Sequence, residues 1–237
     1  MTSTARIIAI ANQKGGVGKT TTSVNLATAM AACGRRVLLV DFDPQGNAST
    51  GFGIDLELRD ANSYRLLTGE ASATEACHKT DISGLHVLPA VVDLSAAEIE
   101  LAEVESREFR LRNALQQVAS DYDYIFIDCP PSLGLLTVNA LCAADCVLVP
   151  LQCEFYALEG LSQLMRTVNM VQQGLNKDLL VQGIVLTMYD SRNKLSEMVA
   201  NDVRSHFGKL VYTTVIPRNV RISEAPSFGQ PVLIYDL

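Results

Sequence analysis

The sequence predicts an α/β fold: a mostly parallel, doubly wound sheet with helices on both faces, in one domain covering residues 1–237. Three observations predict it. Short apolar runs, several ending in an aspartate, recur along the chain as buried parallel strands do. Stretches with helical spacing separate them. No internal repeat, linker or low-complexity segment interrupts the alternation. Composition agrees, because 48% hydrophobic and 19% charged residues describe a globular chain with a full core.

The first run, Ile7-Ile8-Ala9-Ile10-Ala11, reads as a buried strand, and Asn12-Gln13-Lys14-Gly15-Gly16-Val17-Gly18-Lys19-Thr20-Thr21 follows it. A helix is predicted from Thr20 to Cys33, with Val24, Leu26, Ala27 and Met30 on one face and Gly34 as C-cap. Strand, glycine loop and helix in that order make a phosphate-binding loop. The glycines let backbone N–H groups turn inward around phosphate oxygens, and the helix N-terminus adds positive charge. Lys19 then reaches the terminal phosphates, and the Thr20 hydroxyl is placed to bind Mg²⁺. The motif is irregular. Gln13 stands where the usual pattern has its first glycine, and a second lysine, Lys14, opens the glycine run. Two like charges in one small loop make sense if polyphosphate neutralises them, or if one lysine points out of its own site.

The second strand, Arg36 to Asp41, runs into the polar turn Asp41-Phe42-Asp43-Pro44-Gln45-Gly46-Asn47. That turn lies at the carboxyl edge of the sheet, where open α/β folds bind ligands. Residues 48–80 are mixed, with short helical pieces around Tyr64 and Thr74. Leu85 to Pro89 is a strand. Ser95-Ala96-Ala97-Glu98 reads as a capping box opening a long amphipathic helix through Leu101, Val104, Phe109, Leu111, Leu115 and Val118. Tyr124 to Asp128 is a third apolar run ending in aspartate, and Pro130-Pro131 stops it. A strand-end carboxylate such as Asp128 is the partner a phosphate loop needs, because it holds the magnesium-bound water shell. Strands follow at Cys146–Leu151, Val181–Met188, Val211–Ile216 and Val232–Tyr235, with helices at Ala157–Val171 and Lys194–His206.

A net charge of −7 argues against a nucleic-acid partner by itself. Between Met188 and Glu224, however, six basic residues face four acidic ones, which makes a locally basic region on an acidic chain. The six cysteines (Cys33, Cys77, Cys129, Cys142, Cys146 and Cys153) form no C-x-x-C pair, so buried reduced thiols in a cytosolic protein are expected and a zinc or iron–sulfur site is disfavoured. No apolar run is long enough to cross a bilayer, and no signal-peptide core or closing basic amphipathic stretch is evident.

K-G-G-V-G-K-T-T at Lys14 to Thr21, D-F-D-P-Q-G-N at Asp41 to Asn47 and D-C-P-P-S-L-G at Asp128 to Gly134 resemble the deviant Walker A ATPases. E-F-Y-A-L-E-G-L at Glu154 to Leu161 and I-P-R-N-V-R-I-S-E-A-P-S at Ile216 to Ser227 look like the ParA/Soj partitioning branch of that superfamily. The resemblance implies an ATPase using ATP and Mg²⁺ on a P-loop sheet. It makes Lys14 a signature lysine that reaches across a nucleotide-sandwich homodimer, beside the cis Lys19. Gly15, Gly16, Val17, Gly18, Thr20 and Thr21 would complete the phosphate cradle. Asp43 would orient or activate the attacking water, Asp41 would support the magnesium shell, and Asp128 would be the Walker B acid. Gly134 would belong to a segment that senses hydrolysis. Glu154 would approach a ribose, and Met188, Pro217 and Asn219 would frame adenine. Arg192 and Arg221 would hold double-stranded DNA without sequence preference, with Lys194, Lys209 and Arg218 on the same face. A ParB-type centromere-binding partner and a nucleoid-associated, cytoplasmic location are implied, with no membrane partner. The competing readings are a MinD-type positioning ATPase at a membrane surface and a small-molecule P-loop enzyme.

Overall fold

The computed structural model describes residues 5–236. Its strands are β1 (Arg6–Ile10), β2 (Val37–Asp41), β3 (His78–Lys79), β4 (Leu85–Leu88), β5 (Tyr124–Asp128), β6 (Cys146–Gln152), β7 (Leu180–Tyr189) and β8 (Val211–Pro217). They form one sheet in the order β3-β4-β2-β5-β1-β6-β7-β8, and every described pairing is parallel except β3 with β4. The helices are α1 (Lys19–Ala32), α2 (Asn47–Thr50), α3 (Ser63–Thr68), α4 (Ala73–Ala76), α5 (Ala97–Glu100), α6 (Arg110–Leu115), α7 (Leu135–Ala143), α8 (Ala157–Gly174), α9 (Lys194–Phe207), α10 (Val220–Glu224) and α11 (Val232–Tyr235).

The central strands are buried on both faces, which is why they read as unbroken apolar runs. Leu38, Val40, Ile125 and Ile127 point into one layer, with Leu111, Leu115 and Leu136. Val37, Leu39, Phe126 and Ile10 point into the other, against Val24 and Ala27 of α1. Register then fixes the working edge. Asp41 of β2 and Ile10 of β1 both pair with Asp128 of β5. Three neighbouring strands therefore end level, about 4.8 Å apart, and release the phosphate loop, the Asp43 turn and the Pro130-Pro131 turn side by side.

Two expected elements are different. The long helix from Ser95 through Val118 is broken into a 3₁₀ turn (Val92–Ser95), α5, a second 3₁₀ turn (Arg107–Phe109) and α6. No capping box forms, because the Ser95 hydroxyl donates back to Val92 O at 2.9 Å. Glu98 instead turns to the next helix, where its Oε1 accepts from Leu136 N–H at 3.3 Å in the first turn of α7. The second difference is Val232–Tyr235, a single helical turn and not a strand. Its first N–H, on Val232, donates to Asn25 Oδ1 of α1 at 2.9 Å. Cys129, Cys142, Cys146 and Cys153 are buried and all six thiols are free, but Cys33 is exposed at the end of α1. Among the described residues no helix is long and apolar enough to cross a membrane.

Candidate functional site

The loop between β1 and α1 is pinned at two points, both from the β6 and β7 side of the sheet. Asn12 Nδ2 donates to Pro150 O of β6 at 2.7 Å, and its Oδ1 accepts from Lys14 N–H at 3.0 Å. Thr187 of β7 donates to Val17 O at 2.7 Å. Gly16 and Gly18 have φ of 74° and 85°, the left-handed region that lets successive N–H groups turn inward. Gly18 opens α1 with no side-chain cap, so the first N–H groups of the helix are left for a ligand. Val17 is buried in the core, so it can serve a ligand only through its backbone.

Lys19 is also buried, and its Nζ donates to Lys14 O at 3.1 Å. Burial lowers the pKa of its ammonium, partly offset by the charges of Asp128 and Asp43. Lys14 points the other way, half-exposed at the rim, and forms an ion pair with Glu154 just beyond β6. The loop therefore separates its two lysines, one inside its own site and one at the surface.

Beneath the loop lie two fully buried carboxylates. Asp128 Oδ1 accepts from Ser23 Oγ at 2.8 Å, whereas Oδ2 is buried with no hydrogen-bond partner among the described residues. Burial and the neighbouring Asp41 push the Asp128 carboxyl up to about 7, against the hydroxyls of Thr20 and Ser23. Asp41 Oδ2 is occupied by Ser49, through its N–H at 2.7 Å and its hydroxyl at 2.6 Å, and burial raises its carboxyl to about 6. The orphaned Asp128 oxygen beside the Thr20 hydroxyl fits Mg²⁺, which takes few protein ligands and keeps several waters. Asp41 fits an indirect role, ordering α2 through Ser49.

These buried charges predict a pH dependence. A carboxyl raised on folding contributes stability below its unfolded value and loses it as pH climbs through the folded value. Metal-free protein should therefore lose stability between about pH 4 and about pH 7. Asp128→Asn is expected to raise its melting temperature at about pH 8 by several degrees, a gain that vanishes toward pH 4. Scanning calorimetry in a chelator measures this, and equal melting temperatures at high pH would show that the buried charge costs the fold nothing.

A cavity of about 900 Å³ extends from the loop along the sheet edge. Gly15, Gly16, Gly18, Lys19, Thr20 and Thr21 line it together with Asp43, and so do Met188, Pro217 and Asn219. Asn219 Oδ1 caps α10 by accepting from Arg221 N–H at 2.8 Å. Met188 holds a left-handed φ of 48°, rare for a residue with a side chain. Lys14 and Glu154 are not among the residues lining this cavity, although Gly15, the next residue, is.

The expected basic face is only partly assembled. Arg192 and Lys194 follow β7 and Arg218 follows β8, whose ends pair at Tyr189 and Pro217, and Arg221 lies on α10. Lys209 precedes β8 and so sits at the opposite edge of the sheet, a strand length of roughly 20 Å away. It does not belong to that face. Both leading arginines carry carboxylate partners: Arg192 grips Asp190 with two bonds of 3.0 Å, and Arg221 bonds Glu224 at 3.1 Å. Arg192 holds the Asp190 carboxyl down to about 2.

Sequence reading did not single out Asn12, Ser23, Ser49 or Thr187. Ser23 could have been found, since it lies four residues after Lys19 on the same helical face. The others are joined to the site only by tertiary contact.

The family model described as AAA domain matches residues 5–181. The chain is 63% identical to the chromosome partitioning protein ParA of Caulobacter vibrioides over 98% of this chain and 88% of that protein. It is 56% identical to the sporulation initiation inhibitor protein Soj of Bacillus subtilis, over 98% of this chain and 91% of Soj. Among solved structures it is similar to a Mycobacterium smegmatis protein described as cobyrinic acid a,c-diamide synthase with a bound ATP analogue and magnesium. That match has a TM-score of 0.86 at 42% identity, over 95% of this chain and 93% of the other.

Proposed function

Because the chain belongs to the ParA/Soj family of partitioning ATPases, we propose that it segregates DNA through an ATP-driven dimer switch. In this reading two copies bind ATP and Mg²⁺ and close face to face, and the dimer holds double-stranded DNA without sequence preference. Hydrolysis to ADP and phosphate, stimulated by a ParB-type partner, then releases it from the nucleoid.

The observation that carries this reading is the parting of the two lysines. Lys19 donates within its own loop, while Lys14 pairs with Glu154 at the surface and is not among the residues lining the cavity, which supports a role for it toward something outside that site. A cation aimed outward and a phosphate site facing the same edge suit a site completed by a second copy. An intermolecular contact to the γ-phosphate would make closure depend on ATP, since ADP lacks that group. Thr20 and Asp128 would hold magnesium, which would withdraw charge from the transferring phosphoryl group; the unpartnered buried oxygen of Asp128 supports this. Asp43 would orient the attacking water, and Met188, Pro217 and Asn219 would frame the base, as their shared lining of the cavity supports. Arg192, Arg218, Arg221 and Lys194 would bind phosphates of the duplex, Arg192 giving up Asp190 and Arg221 giving up Glu224 to do so.

The likeness to a diamide synthase raises the small-molecule alternative. An acid would be its acceptor, yet outside the phosphate loop the cavity lining includes Leu26, Leu148, Val185 and Ile216, with Arg218 as the one further cation among the lining residues. That wall suits a base better than an acid.

Gel filtration with ATP or ADP, followed by titration onto unrelated DNA fragments at two salt concentrations, tests the proposal. Dimers with ATP only, and DNA binding that falls steeply with salt, are expected. Monomers under every nucleotide, with no binding to DNA, would sink it.

A further inference from the structure

Arg59 is a buried arginine with no carboxylate in contact among the described residues. It lies outside the cavity described above, yet each of its five N–H groups has an acceptor. Nε and Nη2 both donate to Ile54 O, at 3.0 and 2.6 Å. The remaining Nη2 proton goes to Thr50 Oγ1 at 3.0 Å. Nη1 donates to Ala90 O at 3.0 Å and to Gly46 O at 3.4 Å. A fork with all donors used cannot take up a ligand; it can only fasten. Burying that cation lowers its pKa, and the charges of Asp41 and Asp55 oppose the shift.

The fastened parts explain what the cation is for. Gly46 closes the turn that begins at Asp43: its N–H donates to Asp43 O at 2.9 Å, and Gln45 N–H donates to Asp43 Oδ1 at 3.0 Å. Gly46 has φ of 63°, and a Cβ there would overlap Arg59 Nη1 and stand 3.1 Å from Ala90 O. The guanidinium and the glycine are thus fitted to one another. Thr50 adds a second tie, donating its hydroxyl to Gly46 O at 3.1 Å. Ala90, which follows β4, is the fixed point, since β4 is held in the sheet by β2.

We infer that Arg59 is a positioning residue for hydrolysis: it clamps the Asp43–Gly46 turn to the end of β4 and so sets where the Asp43 carboxylate sits relative to the phosphate loop. The inference rests on the reading of Asp43 as the residue that orients water. A lysine keeps the charge but not the fork, so it should not substitute.

The test is ATP turnover by Arg59→Met, Arg59→Lys and Thr50→Val, each made in the parent chain and in Asp43→Ala. Misplacing a catalytic group by about 1 Å costs on the order of 100-fold, so Arg59→Met should lower kcat by about that factor with KM for ATP within about twofold. Arg59→Lys should recover little of the loss, and Thr50→Val should cost a few-fold. In the Asp43→Ala background none of these should lower the residual rate further. The inference is overturned if Arg59→Met keeps the parental kcat, if KM rises in step, or if the same loss persists without Asp43. Should Arg59→Met not fold, Thr50→Val carries the same comparison. Parental turnover by Asp43→Ala alone would instead remove the reading of Asp43, which is a separate result.

Discussion

Asp43→Ala is expected to lower ATP turnover by about 100- to 1,000-fold while nucleotide still binds, so that the ATP-bound dimer accumulates on DNA. The magnitude is what a positioned acid–base group contributes. Binding should survive for an electrostatic reason. Asp43 adds to the negative potential on Asp128 and supports the charge of Lys19, but it does not hold the loop. Three carboxylates, Asp41, Asp43 and Asp128, crowd this edge, and removing the one that faces the cavity relieves repulsion against incoming phosphates. The variant should therefore bind ATP at least as well as the parent. Phosphate release and DNA co-sedimentation in the same sample check both halves. Turnover at the parental rate would take Asp43 out of the chemistry. Loss of nucleotide binding would make it a structural support of the pocket.

How far the site could be read beforehand depended on whether the chain itself carried the information. Asp41 and Asp128 were legible because a strand buried on both faces must be apolar along its whole length, so the first acid marks its end. The register then brings them together without further instruction. The segment after β4 was not legible. Its apolar spacing suits one helix, but Ser106 takes a left-handed φ of 57° and breaks it. The break is held from outside by Asn139 of α7, whose Nδ2 donates to Arg107 O at 2.9 Å and whose Oδ1 accepts from Leu111 N–H at 3.2 Å. A buried amide on another helix leaves no trace in the local pattern. Val232–Tyr235 failed differently, since four apolar residues satisfy either periodicity and the preceding Pro231 suits a helix start as well as a strand. Arg59 was invisible for the first reason: the residues it fastens are up to 31 positions away. Lys209 shares a basic stretch with Arg218, but a whole strand separates them in space.

Lys14→Ala is expected to abolish the ATP-dependent dimer at working concentrations, raising its dissociation constant by about 100-fold or more, while each monomer still binds ATP through Lys19. Its backbone is already committed, with N–H on Asn12 and the carbonyl receiving Lys19 Nζ, so only the side chain is free to change partners. In the single chain that side chain pairs with Glu154 at the rim, and both groups are about two-fifths exposed. An exposed pair of this kind is worth about 0–1 kcal/mol and is easily given up. In the proposed dimer a phosphate of the partner's nucleotide, shielded from water between two copies, would offer a charge-assisted bond in return. Truncating one side of such a buried pair typically costs about 2–5 kcal/mol, which sets the size of the effect. Because the alanine side chain leaves Asn12 and Lys19 where they are, nucleotide affinity of the monomer serves as the internal control. Sedimentation velocity with ATP and with ADP, alongside a fluorescent-nucleotide titration, separates the two quantities. If Lys14→Ala dimerised with ATP as the parent does, the outward lysine would have no role in closing the site. If instead monomer affinity fell with dimerisation, Lys14 would act in cis and the division of labour between the two lysines would be wrong.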